Sequence, residues 1–330
     1  MTEENRKAIF SKISCSTKKL CANLFTQQLS KIHQRTREIF MQNTFELSAS
    51  ADSKPDFEKG SIFFIGTATV IIRFAGFTIL TDPNFLHAGE HVHLGYGLTS
   101  ERLTNPAINI EDLPPIDLCV LSHHHGDHFD QLVEEKLQKD LPIVTTAHAV
   151  EKLEEKGFTK GIALETWEAA EFTKGDAKLR ISSMPGQHGP GIVDFALPPV
   201  MGSVLDFETG EANRLLRLYI SGDTLLIDDL NEIPKRFPEI DLGIFHLGGT
   251  RVMGVMVTMD DEQGVKAIEI IQPDKAIPIH YNDYDVFKSP LEDFKRAAEE
   301  AGLSDKIIYL SHGETYNFEI SASRQQKTSS

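Results

Sequence analysis

The sequence has few cysteines and no long apolar run. No stretch approaches the roughly 18–20 apolar residues that a membrane-spanning helix needs. The first ten residues, MTEENRKAIF, carry two acids and no apolar stretch typical of a secretory signal, so none is expected. The three cysteines, at positions 15, 21 and 119, are odd in number and scattered, unlike a disulfide framework. These features predict a protein of the reducing cytoplasm.

Positive charge is also scarce, and it is unevenly distributed. The 330 residues include 33 Lys and Arg against 49 Asp and Glu, a net charge of −16. Residues 1–44 hold eight Lys/Arg and three Asp/Glu, a balance of +5, and the remainder holds 25 and 46, a balance of −21. Because an acidic body repels polyanions, the sequence argues against a nucleic-acid partner. A small phosphorylated molecule remains compatible, since metal ions in a site outweigh the distant surface charge.

The composition changes near residue 55, which predicts three regions. Residues 1–55 form an N-terminal helical extension and linker, 56–320 the main domain, and 321–330 a flexible tail. Apolar residues recur at helical spacing over 17–43 with Lys and Arg between them, which predicts one amphipathic helix. This helix is expected to pack on the body or on a second subunit of a homo-oligomer. The alternative is peripheral membrane contact, which a basic amphipathic helix also favours.

Short β-branched and aromatic runs dominate residues 61–320. IFFIG, TVIIRFA and FTILTD predict a three-stranded meander, with Gly76 in the tight turn between the last two. Further strands are predicted at 117–122, 142–146, 179–185, 202–208, 215–223, 241–248, 275–281 and 306–313. Helices are predicted at 129–139, 149–156, 228–236, 260–271 and 290–301. Ser289 is the expected cap of the last helix. This order predicts an α/β fold of two sheets covered by helices.

The strongest chemical signal is the run Ser122-His123-His124-His125-Gly126-Asp127-His128, directly after an apolar strand. Alternate residues of a strand point the same way, so His123 and His125 share a side. The chain then bends at Gly126, which lacks a Cβ, and brings Asp127 and His128 beside them. Neutral imidazole and carboxylate are ligands for zinc or iron, and the absence of cysteine disfavours a closed structural zinc site. A solvent-exposed histidine run is the alternative, disfavoured by the buried strand before it.

Three later residues occupy a similar context, a metal-ligand type at the end of an apolar strand. They are His188 after LRISSMPGQ, Asp223 after LRLYISG and His280 after KAIPI. Such loop-start positions on rigid elements commonly carry functional groups. One isolated His or Asp is usually structural, but two metal ions need about this many ligands together with the first cluster.

SHHHGDH resembles the HxHxDH signature of the metallo-β-lactamase superfamily, and the later order His, Asp, His matches as well. The similarity covers roughly residues 60–315. Locally the chain resembles the branch of bacterial ascorbate-6-phosphate lactonases and N-acyl-phosphatidylethanolamine phospholipase D. The stretches that carry this likeness are GTATVIIRFAGFTILTDP (66–83), PGQH (185–188), SGDT (221–224) and PIHY (278–281). One departure is VTMDDEQ (257–263), where the phospholipase branch tends to carry a histidine.

The resemblance implies a four-layer αββα sandwich with a dinuclear metal site. It assigns His123, His125 and His188 to one metal ion. It assigns Asp127, His128 and His280 to the other, with Asp223 bridging the two. The ions are expected to be Zn²⁺, with Mn²⁺ or Fe²⁺ as alternatives, and a hydroxide between them is the nucleophile. Asp127 and Asp223 are the catalytic carboxylates, and Asp82 is expected to orient a ligand histidine.

The predicted function is hydrolysis of a phosphodiester, a phosphorylated small molecule or a lactone, and a lipid substrate would suit the N-terminal helix. β-Lactam cleavage is disfavoured, because the best-known such enzymes have a cysteine where Asp223 stands. The alternatives are a diiron oxidoreductase on the same fold and a non-catalytic metal-binding scaffold. His125 argues against the first, whose members carry glutamate there, and the complete ligand set argues against the second.

Several other polar residues are candidates for substrate contact or packing. His91 and His93 lie in a glycine-rich segment that could border the site, and Tyr281 follows a predicted ligand. Tyr284 is a further candidate. His124 is expected to point away from the ligands and to pack, and His246 to be a hydrogen-bonded core residue. His148 and His312 lie near strand ends, with a smaller expectation of reaching the site.

Overall fold

Structural information comes from a computed structural model, which describes residues 44–48, 55–94, 99–209, 214–252 and 254–320. The helix predicted over 17–43, most of the linker after it and the tail over 321–330 lie outside the described residues. Their packing and membrane interpretations therefore stay predictions. Within the described part, no helix is long and apolar enough to cross a membrane.

The first sheet begins with the predicted meander of β2, β3 and β4. Residues Ala75 and Gly76 join the last two strands and both have positive φ, of 50° and 80°, as a two-residue hairpin turn requires. The order across this seven-stranded sheet is β18-β2-β3-β4-β7-β8-β9, and β4, β7, β8 and β9 run parallel. Its strands are β2 (Lys59–Gly66), β3 (Thr69–Phe74), β4 (Phe77–Thr81), β7 (Leu118–Val120), β8 (Ile143–Thr145), β9 (Gly161–Ala163) and β18 (Thr315–Glu319).

The second seven-stranded sheet has the order β1-β10-β11-β12-β13-β14-β17 within the described residues. Pairing is antiparallel from β10 to β13 and parallel from β13 to β17. Its strands are β1 (Thr44–Glu46), β10 (Ala169–Lys174), β11 (Ala177–Met184), β12 (Gly202–Thr209), β13 (Arg214–Ile220), β14 (Leu242–His246) and β17 (Lys275–Ile279). Two small hairpins stand apart, β5 (His91–His93) with β6 (Thr99–Glu101) and β15 (Arg251–Val252) with β16 (Val255–Met256).

Helices cover the outer face of each sheet. They are α1 (Gln131–Lys136), α2 (Ala147–Glu155), α3 (Ile233–Arg236), α4 (Asp261–Ile271) and α5 (Leu291–Glu300). Short 3₁₀ turns lie at Ile110–Asp112, Gly191–Ala196, Asp228–Glu232 and Ser304–Lys306. One apolar core lies between the sheets, a second under α1 and α2, and a third under α3, α4 and α5. The layers are therefore those of an αββα sandwich, and Cys119 is fully buried in β7.

Two predictions near the carboxyl end are wrong. The strand predicted at 306–313 is absent from the described residues, where only Ile307 bridges to Ala276, and the ladder strand is β18 instead. Ile307 and Leu310 are buried while Tyr309 is exposed, so this apolar run packs without forming a ladder. Ser289 is not the cap of α5, because Pro290 occupies that position.

Ser289 instead forms hydrogen bonds with Asp261, the first residue of α4. Its Oγ accepts a hydrogen bond from Asp261 N at 3.0 Å and donates to Asp261 Oδ1 at 3.2 Å. The helix predicted at 129–139 is shorter, since Asp130 caps it by accepting from Val133 N at 2.8 Å. The segment predicted as helix at 228–236 begins as a 3₁₀ turn and becomes α-helical at Ile233.

Candidate metal centre

The loop over 122–128 follows β7 at the carboxyl edge of the parallel strands. The chain turns at Gly126 as predicted, with His128 N donating to His125 O at 3.0 Å, and the glycine is required for a second reason as well. Its φ lies outside the left-handed region, but a Cβ there would lie 2.8 Å from His93 O and 3.0 Å from Val92 Cβ. The glycine therefore permits the close approach of β5 to the histidine loop.

The first cluster contains three imidazoles. His125 Nδ1 lies 3.1 Å from His123 Nε2 and 3.1 Å from His188 Nε2. Burial lowers the pKa of the His125 imidazole to about 3 and lowers the pKa values of His123 and His188 as well. The three rings are therefore neutral at pH 7, with nitrogen lone pairs directed at a common point.

Hydrogen bonds on the far side fix the orientation of two of these rings. His188 Nδ1 lies 3.0 Å from the carbonyl oxygens of Asp223 and Val257, so this nitrogen carries the proton and Nε2 is free. Ser122 Oγ donates to Asp82 Oδ1 at 2.9 Å and accepts from His123 Nδ1 at 3.0 Å. His123 Nε2 is free for the same reason.

The second cluster contains two carboxylates and two imidazoles, all buried. His128 Nε2 lies 3.3 Å from Asp223 Oδ2 and 3.9 Å from Asp127 Oδ2. His280 Nε2 lies 3.5 Å from Asp127 Oδ2, and His280 Nδ1 lies 3.5 Å from Asp223 Oδ1. Burial opposes charge on both acids, but the neighbouring imidazoles hold the pKa of Asp127 at about 2 and that of Asp223 well below its usual range. Both acids are therefore ionised.

The two clusters adjoin, and their donor atoms are not satisfied by the protein. The rings of His123 and His128 are 4.2 Å apart between centroids. Five fully buried atoms of the second cluster lack a hydrogen-bond partner in the described structure: Asp127 Oδ1, Asp223 Oδ1, His128 Nε2, His280 Nδ1 and His280 Nε2. Native structures rarely leave such atoms unpaired. The imidazole and carboxylate ligands, together with these unpaired polar atoms, fit the binding of two divalent cations.

Asp82 stands behind the second cluster, where the sequence predicts it. Its Oδ1 accepts from Ser122 N at 2.8 Å and lies 3.4 Å from His128 Nδ1. Burial alone would raise the pKa of Asp82, but bonds to His128 and His246 hold it at about 2. His246 is a buried, hydrogen-bonded residue as predicted, with Nδ1 3.2 Å from Ser221 Oγ. Its Nε2 lies 3.6 Å from Asp82 Oδ2, so it also belongs to the surroundings of the site.

A buried network that the sequence did not predict connects two loops of the site. Arg102 is fully buried and donates from Nη1 to Thr67 Oγ1, at 2.5 Å, and to Asn84 Oδ1. Thr67 O accepts from His280 N at 2.7 Å, and Asn84 Nδ2 donates to Gly126 O at 3.0 Å. Arg102 therefore reaches both metal-ligand loops through one intermediary each. Nothing local to these residues in sequence signals their convergence.

His280 itself is held in an uncommon backbone conformation. Its φ is +62°, in the left-handed region that residues other than glycine rarely adopt, and Asp82 has a φ of +35°. Such strain persists where surrounding structure fixes it, and it clusters at functional sites. The bond from His280 N to Thr67 O supplies one of these constraints.

The candidate substrate-contact residues have different surroundings. His91 and His93 are exposed on β5, and His93 lines a cavity beside His125. Tyr281 is buried and its hydroxyl donates to Leu310 O at 3.3 Å. Four other residues are placed as follows: His124 and His148 line the same cavity, His312 lies 3.2 Å from Asp283, and the Tyr284 hydroxyl donates to Asn84.

The fold and the paired clusters define an αββα sandwich protein with a candidate two-metal centre. A family profile for the beta-lactamase superfamily domain matches residues 78–281. Two relatives are named UPF0173 metal-dependent hydrolase. That of Natranaerobius thermophilus is 31% identical over 206 residues, covering 62% of this chain and 83% of its own. That of Methanopyrus kandleri is 27% identical over 268 residues, covering 77% and 98%.

The chain therefore belongs to the β-lactamase superfamily, among relatives named metal-dependent hydrolases. Among solved structures, an isothiocyanate hydrolase from Delia radicum gut bacteria superposes with a TM-score of 0.65 at 21% identity. The match covers 78% of this chain and 99% of that one. At this identity the likeness supports the fold alone.

Proposed function

We propose that the protein is a dinuclear metal-dependent hydrolase. The observation that carries this proposal is the convergence of seven buried or half-buried side chains into two adjoining clusters, the second of which contains unpaired polar atoms. His123, His125 and His188 would hold one ion, and Asp127, His128, Asp223 and His280 the other. When bound, two divalent cations supply Lewis acidity and lower the pKa of water.

The protein groups around the clusters hold the donors in place. Thr258 Oγ1 donates to Asp223 Oδ2 at 2.7 Å, which fixes one oxygen of that carboxylate and leaves Oδ1 toward His280. Asp82 and Ser122 orient the rings of His128 and His123. Groups that are fixed before substrate binds need no reorganisation during reaction, which favours catalysis.

The substrate class that we propose is a phosphodiester, a phosphorylated small molecule or a lactone. All three place a polar, attackable centre and an oxygen that gains charge beside the cations. The names of the relatives support metal-dependent hydrolysis in general. The narrower likeness to the lactonase and phospholipase branch is part of this proposal, and so is zinc as the native metal.

Metal content and turnover test the proposal together. We expect about two Zn²⁺ or Mn²⁺ per chain and hydrolysis of at least one member of a panel of phosphodiesters, sugar-phosphate lactones, N-acyl phospholipids and β-lactams. His125→Ala should lose metal and turnover, and His87→Ala, at a half-buried histidine that belongs to neither cluster, should lose neither. Two redox-active irons with oxygen reduction would support the diiron alternative, and absence of bound metal would support the scaffold.

A further inference from the structure

A cavity of about 900 Å³ opens beside the first cluster. It touches that cluster at His125, the half-buried member, and extends to Asp194, whose carboxylate accepts from His188 N at 3.0 Å. Ligand cavities in proteins are commonly of this size. A molecule with its reacting group at the metal centre therefore has room for a substituent of considerable length.

One wall of the cavity is apolar and is anchored to the metal-ligand loop. Residues 196–199, with sequence ALPP, form most of it, and Leu94 and Phe129 continue it. The segment packs closely on Gly189, where a Cβ would lie 3.1 Å from Leu197 Cδ1. Two prolines and this packing restrict the wall, so it offers a preformed apolar surface next to His188.

The opposite wall is polar, and its two lysines are paired with carboxylates, whereas the imidazole nitrogens His124 Nε2 and His148 Nδ1 have no hydrogen-bond partner among the described residues. Glu134 lies 2.7 Å from Lys156 and 3.7 Å from His124 Nε2, and Lys152 pairs with Glu155 at 3.1 Å. The described lining therefore has no unpaired acidic or basic cluster that would select a highly charged ligand.

We propose that this cavity binds an uncharged hydrocarbon substituent of the substrate, whose scissile ester, lactone or phosphodiester group lies at the metal centre. The inference rests on the proposed function and adds a substrate class to it. Residues 196–199 would be the specificity-determining surface. Each methylene that leaves water for this wall should strengthen binding by about two- to fourfold.

Binding of alkylphosphonates tests the cavity without requiring turnover. Methyl-, butyl-, hexyl- and octylphosphonate would be titrated by calorimetry into the metal-loaded protein. We expect Kd to fall by about two- to fourfold per methylene until the cavity is filled. Leu197→Asp should flatten this dependence. Ala196→Asp, at an exposed wall residue, repeats the test with less risk to folding, and Leu103→Asp, at an exposed leucine outside the lining, is the matched control.

Two results would overturn the inference: a Kd independent of chain length, or chain-length dependence that persists in both wall variants at unchanged metal content. A parallel measurement distinguishes failure of the cavity assignment from failure of the proposed function. It follows the hydrolysis of p-nitrophenyl alkyl phosphodiesters of the same chain lengths and of lactones with matched alkyl chains. Turnover without chain-length dependence contradicts only the cavity assignment. Chain-length-dependent binding without turnover of any phosphodiester or lactone contradicts only the proposed reaction.

Discussion

The two halves of the candidate metal centre have different chemistry. The first cluster contains only imidazoles, which burial keeps neutral, and one of them, His125, borders the cavity. The second is fully buried and contains two carboxylates, which hold the pKa of His128 well above its usual range against the effect of burial. We therefore expect the first half to face the substrate and the second half to supply the negative charge that would retain cations.

The largest effect is expected from Asp223→Asn. This change removes a negative charge that contacts both His128 and His280 and keeps the side-chain shape. We expect metal content to fall by about one ion per chain and turnover to fall by about 10³-fold. Plasma emission spectroscopy and steady-state kinetics would measure both. Turnover within tenfold of wild type would remove Asp223 from the catalytic centre.

The stability of the metal-free protein tests the difference in charge between the two clusters. Asp223→Asn leaves the buried His128 with less negative charge beside it. We expect the free energy of unfolding to fall by roughly 2–3 kcal/mol and no more, since Asp82 and Asp127 remain beside this ring. His125→Ala removes a neutral, half-buried ring and should cost about 1 kcal/mol. Urea unfolding of both metal-free variants measures the difference. Equal losses would mean that the two clusters do not differ in charge as described.

Asp82→Asn tests the support behind the second cluster. The amide can keep its oxygen toward Ser122 and His128, but it loses the negative charge beside His128 and places an NH2 group toward His246 where Oδ2 stood, so the rings lose orientation. We expect metal affinity to fall by about 10–100-fold, with the second ion lost first. Chelator competition would measure the two affinities, and equal weakening of both ions is the outcome that speaks against this assignment.

Arg102→Met probes the network that joins the two loops. We expect about tenfold weaker metal binding and an altered visible spectrum of the Co²⁺-loaded protein, because His280 and the Gly126 loop lose a shared tether. Arg217→Met is the matched control, since Arg217 is also mostly buried but pairs with Asp206 at 2.6 Å in the second sheet. An unchanged Co²⁺ spectrum in Arg102→Met would leave the network a role in stability alone.

The smallest effect is a difference in pH dependence. In the metal-free protein, the pKa of His125 is about 3, against an ordinary value of 6.5. Between pH 3 and pH 6.5 the His125 imidazole is therefore protonated only in the unfolded chain. Its contribution to stability is present above pH 6.5 and is lost as pH falls toward 3.

The contribution of His128 to stability depends on pH in the opposite direction, because the pKa of His128 is raised. Its contribution is present below pH 6.5 and is lost as pH rises through the native pKa. His125→Gln should therefore reduce the loss of stability on the acid side and His128→Gln the loss on the alkaline side, as measured by urea unfolding across pH. The same change of slope in both variants would contradict the assigned signs.

Much of the fold follows from local patterns, whereas the contacts behind the site do not. Period-two apolar runs and the Gly76 turn predict the meander, and β7 leads into the histidine loop as expected. The apolar run at 306–313 misleads, because Ile307 packs in the core under α5 and Leu310 packs in the core between the sheets. The sequence predicts the bend at Gly126, but it does not predict the close approach of β5, about 33 residues away in sequence.

The convergence of Arg102, Asn84 and Thr67 depends on tertiary structure alone. Each is an ordinary polar residue in its own segment, and no spacing rule connects them. The metal-ligand types could be recognised, in contrast, because three histidines and an aspartate are adjacent in sequence and each later partner ends an apolar strand. Metal-ligand residues can therefore be predicted from sequence where they are adjacent, whereas the hydrogen-bond network that holds them cannot.

Anomalous diffraction from crystals of the Zn²⁺-loaded protein, collected on both sides of the zinc edge, would show whether each cluster holds an ion. We expect two zinc peaks per chain, about 3.5–4 Å apart. One would be ligated by His123, His125 and His188, and the other by Asp127, His128, Asp223 and His280. A single peak among Asp82, His128 and His246, which also lie within ligating distance of one another, would contradict this expectation.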